Sequence, residues 1–275
     1  MHTPISHTTK HVCTYPQSTF FLLKSLVLRG VLAEEKGLIL HPFQQTMQIT
    51  YYGHSCFQVV VGGKRILFDP FISGNPLAQH ISIEEVEADY ILISHAHDDH
   101  TRDALAIARR TGAQIVGIWE IYSWALRNGI EHAHPMNIGG SWTFDFGTVK
   151  MTAAVHSSSF ADGSYGGSPA GFYIETPEGN LYYAGDTALF NGMKMLGKYH
   201  NVDLAFLPIG NNFTMGVDDA LIASRFIKCD QIIGMHFDTF GFITIDHAQA
   251  IEKFKERDRS LRLMEIGQTI QWTKS

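Results

Sequence analysis

Thiols are scarce in this chain. Cys13, Cys56 and Cys229 are the three cysteines among 275 residues, odd in number and without metal-type spacing. They read as small buried hydrophobes in a reducing compartment. Long apolar runs are lacking too. The most hydrophobic early stretch, Phe20 to Leu32, is interrupted by Lys24 and Arg29 and has no small-residue cleavage site after it. That argues against a signal peptide or a membrane span, and a cytoplasmic protein is expected. Positive charge is short: 21 Lys and Arg against 27 Asp and Glu give a formal net charge of −6. No general electrostatic platform for nucleic acid or an anionic membrane follows, although a small local basic patch would not show in the total. Finally, no G-x-S-x-G segment marks a nucleophilic serine.

What is present is an ordinary globular composition, 45% hydrophobic and 17% charged, long enough for one large α/β domain or two small ones. The chain changes character near Met47. Residues 1–46 show no strand alternation and are expected to be an N-terminal extension, loosely packed or an over-long start, with the folded domain at 47–275. From Met47 the periodicity predicts strands at 47–53, 56–61 and 65–70, with Gly62-Gly63 as a hairpin turn. Further strands are predicted at 88–94, 113–118, 148–156, 171–176, 180–186, 203–209 and 231–236, with more in 261–272. Helical spacing predicts helices at 101–112, 120–129, 218–228 and 247–258. This order, strand-rich and then strand and helix alternating roughly twice over, fits an α/β (α+β) four-layer αββα sandwich.

The chemistry concentrates in histidine, of which there are 15. The string His95-Ala96-His97-Asp98-Asp99-His100 follows the apolar strand YILIS, so it belongs in the loop at that strand's C-terminal end, where α/β folds commonly place ligands. His95 and His97, two apart, can converge on one ion, while Asp99 and His100 point to a neighbouring position. Imidazole and carboxylate donors without thiolate suit zinc, iron or manganese. Three later residues also fall at the ends of predicted strands: His156, Asp186 and His236. Each alone reads more simply as a satisfied polar residue or, for Asp186 after Gly185, a turn residue.

Together, the HxHxDH string and the three later positions resemble the metallo-β-lactamase superfamily. The resemblance spans about residues 47–272. It implies that His95, His97 and His156 hold one metal, that Asp99, His100 and His236 hold the other, and that Asp186 bridges them. The segments GHSCF (53–57), HSSSFADGSYGGSPAGF (156–172) and PIGNNFTMG (208–216) are similar to the branch of small bacterial and archaeal metal-dependent hydrolases of undefined substrate. That branch is itself similar to the ascorbate-6-phosphate lactonase group. Asp69, in LFDP, matches a strand-end aspartate that orients a metal-binding histidine, with a helix or turn cap as its other reading. His54 is a candidate for the catalytic pocket, against a buried histidine satisfied by backbone.

The resemblance implies two divalent transition-metal ions, zinc before manganese or iron, which activate a bridging water against an ester, lactone or phosphodiester. Asp99 would then both ligate and orient that water. A small-molecule substrate is the expected partner, with no nucleic acid, and a homo-oligomer is left open. The loop 157–170 offers backbone N–H groups to a phosphate or carboxylate, or is a plain connection. Phe213, Met215, Phe237 and Phe240 are candidates for an apolar pocket wall, or for the core. The other function classes are a nuclease, against which the acidic balance counts, and a non-hydrolytic metal or di-iron redox protein.

Overall fold

A computed structural model describes residues 46–274; apart from Thr46, the extension expected at 1–46 lies outside them. The first sheet contains β1 (Thr46–Gly53), β2 (Cys56–Val61), β3 (Lys64–Phe68), β4 (Tyr90–Leu92), β5 (Gln114–Ile118) and β6 (Ala133–Met136). The second contains β7 (Ser141–Phe144), β8 (Gly147–Ala153), β9 (Ala170–Thr176), β10 (Gly179–Tyr183), β11 (Leu204–Pro208), β12 (Gln231–Met235) and β13 (Ser260–Arg262). The last strand, β14 (Thr269–Thr273), returns to the first sheet beside β1. The orders are β14-β1-β2-β3-β4-β5-β6 and β13-β12-β11-β10-β9-β8-β7.

The two sheets are built alike. Strands β14 to β3 pair antiparallel and β3 to β6 parallel; β7 to β10 pair antiparallel and β10 to β13 parallel. The sequence reflects the difference. In β1, Met47, Ile49 and Tyr51 alternate inward, the period-two signature of a strand with one covered face. In β11, LAFLP is buried throughout, as a parallel strand covered on both faces requires. Aromatic contacts join the sheets: Phe57 packs edge-on to Phe206, and Phe68 stacks on Tyr183.

Helices cover the outer faces. α1 (Asp98–Thr101) is a single turn, followed by α2 (Ala104–Thr111) and α3 (Trp119–Arg127) against the first sheet. On the second sheet lie α4 (Gly192–Tyr199), α5 (Val217–Phe226) and α6 (His247–Lys255). Ala104, Ile107 and Ala108 form the buried stripe of α2, and Gly112 closes it in the left-handed conformation. Asp246 caps α6 by accepting from the Gln249 N–H at 3.0 Å. The result is the expected αββα sandwich.

Several expectations shift. The helix predicted at 101–112 starts later, as α2 at Ala104, because Thr101 ends the separate turn α1, which begins within the histidine string. The strand predicted to run to His156 stops at Ala153. There the chain leaves the ladder, and the Val155 N–H is taken by the Thr187 hydroxyl instead. Strands β6 and β7 were not foreseen. Both are four-residue edge strands, and β6 contains Pro135, which the edge of a sheet tolerates. Helix α4 was missed because GMKMLGKY contains two glycines, poor helix formers that its packing overrides.

Candidate metal centre

The site forms where the C-terminal ends of parallel strands from both sheets meet. Asp69 follows β3, His95 and His97 follow β4, Asp186 follows β10 and His236 follows β12. Asp99 and His100 ride on α1, whose single turn aims both side chains at the same place. His156 comes from the loop after β8, and His54 from the β1–β2 turn next to a register irregularity at Tyr51/Gly53. A bulge beside a site re-aims the residues after it. His54, Asp69 and His236 hold positive φ angles of 56°, 42° and 55°, which non-glycine residues rarely adopt. Such strain is kept where surrounding structure over-determines it.

All seven residues expected as ligands come together. Asp186 Oδ2 is central: 2.9 Å from His236 Nε2, 3.3 Å from His100 Nε2, 3.6 Å from His156 Nε2 and 4.0 Å from His95 Nε2. His95 Nε2 lies 3.0 Å from His97 Nδ1. Asp99 Oδ2 lies 3.0 Å from His54 Nε2, 3.8 Å from His100 Nε2 and 3.9 Å from His236 Nε2. The donor atoms divide into His95, His97 and His156 on one side and His54, Asp99, His100 and His236 on the other, each set within 4.8 Å.

A buried polar shell orients these imidazoles. Asp69 Oδ2 lies 2.9 Å from His100 Nδ1 and accepts from the Ser94 and Tyr183 hydroxyls at 2.6 and 2.7 Å; its Oδ1 accepts from the Ser94 N–H at 2.7 Å. Because the Ser94 hydroxyl donates to Asp69, its oxygen accepts from His95 Nδ1 at 3.0 Å. Both histidines therefore carry their proton on Nδ1 and turn Nε2 toward Asp186. Asp69 thus contacts His100 and, through Ser94, His95, and does not cap a helix among the described residues. His54 is buried and satisfied by side chains, not by backbone: Nδ1 lies 2.9 Å from the Thr239 hydroxyl and Nε2 faces Asp99. With Asp99 as acceptor, Nε2 of His54 donates and Nδ1 accepts from Thr239. The shell residues Ser94, Tyr183 and Thr239 were not foreseen, since a lone hydroxyl carries no spacing signal.

Charge follows from the clustering. Burial alone would raise the Asp186 carboxyl, but the His236 and His100 imidazoles outweigh it and hold it well below the usual carboxylate range. Burial likewise opposes charge on His100, yet Asp186, Asp99 and Asp69 together hold its pKa above the ordinary value. Asp99 is kept anionic against its burial by His100 and by the hydrogen bond from His54. Burial pushes His54 down to about 4 and also lowers His95, His97 and His156, so these stay neutral donors.

The residues fit transition metal. His100 Nε2, Asp186 Oδ1 and His236 Nδ1 are buried without hydrogen-bond partners, an uncommon cost in a folded protein. Nitrogen and carboxylate donors of this number suit zinc and its neighbours, and a cation at Asp186 would take the place of the extra proton the carboxylates favour on His100.

A cavity of about 740 Å³ opens above the centre. Phe213 and Phe240 line it as anticipated, joined by Phe71, Phe242 and Arg102, whereas Met215 and Phe237 are buried and do not line it. In the loop 157–170, Ser157 reaches the cavity, but the N–H groups of Phe160, Gly163 and Gly166 bond carbonyls within the loop. That of Ala170 bonds Ser94. Among the described residues no helix is long and apolar enough to cross a membrane.

Residues 64–237 match the family described as the beta-lactamase superfamily domain. A UPF0173 metal-dependent hydrolase of Flavobacterium johnsoniae is 55% identical over 225 residues, which are 82% of this chain and 100% of that protein. One from Shouchella clausii is 44% identical over 230 residues, again 82% of this chain and 100% of the relative. Among solved structures, Igni18, a metallo hydrolase from the archaeon Ignicoccus hospitalis, is 36% identical with a TM-score of 0.75, covering 82% of this chain and 98% of its own.

Proposed function

Since the chain belongs to the UPF0173 metal-dependent hydrolases of the metallo-β-lactamase superfamily, we propose that it cleaves an ester, lactone or phosphodiester of a small molecule with a dinuclear centre. His95, His97 and His156 would hold one ion, Asp99, His100 and His236 the other, and Asp186 both. Zinc is the first choice, with manganese and iron as alternatives. The observation that carries this reading is the position of Asp186 Oδ2, within 4.0 Å of imidazoles from both donor sets. Bound there, the ions supply Lewis-acid activation of water and of the substrate oxygen.

The protein's own residues do the rest. Asp69 and Ser94 fix the tautomers of His100 and His95. Asp99 is a quarter exposed and faces the cavity. Held anionic, it accepts a hydrogen bond from the attacking water and orients it, but is too weak a base to keep the proton. His54 anchors Asp99 Oδ2 from behind. Phe71 and Phe240, next to His54, give this side of the cavity an apolar wall.

Elemental analysis, paired with turnover of esters, lactones and bis(p-nitrophenyl) phosphate before and after chelation, tests the proposal. The expected result is about two transition-metal ions per chain with turnover lost on chelation and restored by metal. Full activity in the metal-free protein would overturn it.

A further inference from the structure

The cavity above the centre is two-sided. One wall is the ligand cluster; the other is aromatic and comes from three separate loops. Phe71 and Phe240 sit deep, with ring centroids 5.6 and 5.4 Å from that of His54. Phe213 and Phe242 form the rim, edge to face at 6.3 Å, and are 50% and 78% exposed. Two adjacent aromatic rings at the mouth of a site leave half or more of their surface in water. They gain stabilisation when an apolar group lies against them.

The same cavity is poor in anion recognition. Arg102 is its one Lys or Arg among the described residues, and both Nε, at 2.7 Å, and Nη2 bond the Asp98 carboxylate. In the glycine-rich loop beside it, the N–H groups of Phe160, Gly163 and Gly166 are already taken by carbonyls of the loop itself. A phosphate monoester or an anionic sugar would find no free side-chain cation on this wall and would rely for its charge on the metal ions alone.

We infer that the substrate is a carboxylic ester or lactone bearing an aromatic ring or an alkyl chain of several carbons, with that group against Phe213 and Phe242. This rests on the hydrolase reading above and narrows it from phosphoryl to acyl chemistry. Water adds its oxygen to the acyl carbon, the carbon–oxygen bond to the alkoxy group breaks, and the proton released ends on the departing oxygen. The products are a carboxylic acid and an alcohol. The cavity volume of about 740 Å³ accommodates such a molecule.

The test measures kcat/KM of the metal-loaded protein for p-nitrophenyl acetate, butyrate and octanoate and for bis(p-nitrophenyl) phosphate. Calorimetric Kd values for octanoate, acetate and inorganic phosphate are measured on the same protein. The octanoate-to-acetate ratio is expected to be about tenfold or more in both kcat/KM and affinity, the effect of two buried methylene groups. It should fall severalfold in Phe213→Ala and Phe242→Ala and stay unchanged in Trp142→Ala, an exposed aromatic outside the cavity. Ester turnover with no chain-length preference, or bis(p-nitrophenyl) phosphate as the better substrate, would overturn the inference and leave the hydrolase reading intact. Phenylalanine-dependent octanoate binding without turnover of any substrate would overturn the hydrolase reading and, with it, the ester or lactone assignment.

Discussion

His100 Nδ1 lies 2.9 Å from Asp69 Oδ2, and neither side chain has any exposed surface. A buried hydrogen bond of this kind commits the Nδ1 proton to Asp69 and turns Nε2 toward the carboxylates of Asp186 and Asp99, 3.3 and 3.8 Å away. Asp69 touches His100 directly and His95 by way of the Ser94 hydroxyl.

Asp69→Asn should therefore weaken metal affinity about 10–100-fold while leaving the ligands in place. Competition with a chromophoric chelator measures it, and saturating metal should restore most of the turnover. Unchanged affinity would assign Asp69 to folding alone.

His54→Ala removes the anchor of Asp99 Oδ2 and leaves Thr239 without its ring partner. Turnover at full metal occupancy should fall about 10–100-fold, with His54→Gln falling less because the amide can still donate. Equal losses in both, tracking a common drop in Tm, would mean that the residue only fills space.

Gly185 precedes the central aspartate with φ of 63°, and a Cβ there would meet Ala170 O at 2.6 Å and Ser94 Cβ at 2.9 Å. Gly185→Ala should cost about 1–3 kcal/mol. Urea unfolding of the metal-free protein reads the stability, and metal stoichiometry should fall with it as Asp186 is displaced.

Burial pushes the Cys229 thiol up to about 12 and raises that of Cys56 as well. At pH 8 the thiolate fraction of Cys229 is on the order of one in ten thousand. Iodoacetamide should leave both cysteines unmodified in the native protein and label both after denaturation, as read by peptide mapping. Rapid native labelling at Cys56 would contradict its packing against the core.

The proposed boundary near Met47 is testable by truncation. The Flavobacterium relative is covered from end to end by 82% of this chain. A chain starting at Thr46 should keep its metal stoichiometry and a Tm within a few degrees of the full protein. Failure to fold would move residues of the extension into the domain.

Much of the frame was legible in the residues, because it rests on local rules. Alternation in Met47–Tyr51, the continuous apolar run Leu204–Pro208 and the glycine after α2 each state their element without reference to the rest of the chain. Edge strands β6 and β7 escaped, since four residues carry too little periodicity and their pairing is decided by a neighbour. The convergence of His95, His97, Asp99 and His100 was readable for a similar reason, as the four fall within six consecutive residues.

By itself, then, the order of residues determined most strands and helices, the acid–imidazole character of the centre and the want of thiolate or excess cationic charge. These are properties of spacing and composition; the sandwich was what the family resemblance implied. Only the tertiary structure decided that Tyr183 and Ser94 hold Asp69, that Thr239 holds His54, and that Phe242 stands exposed at the rim. Those contacts join residues on different strands and loops. No local periodicity encodes which hydroxyl meets which ring, because that follows from how two sheets stack and where their loops are left to meet.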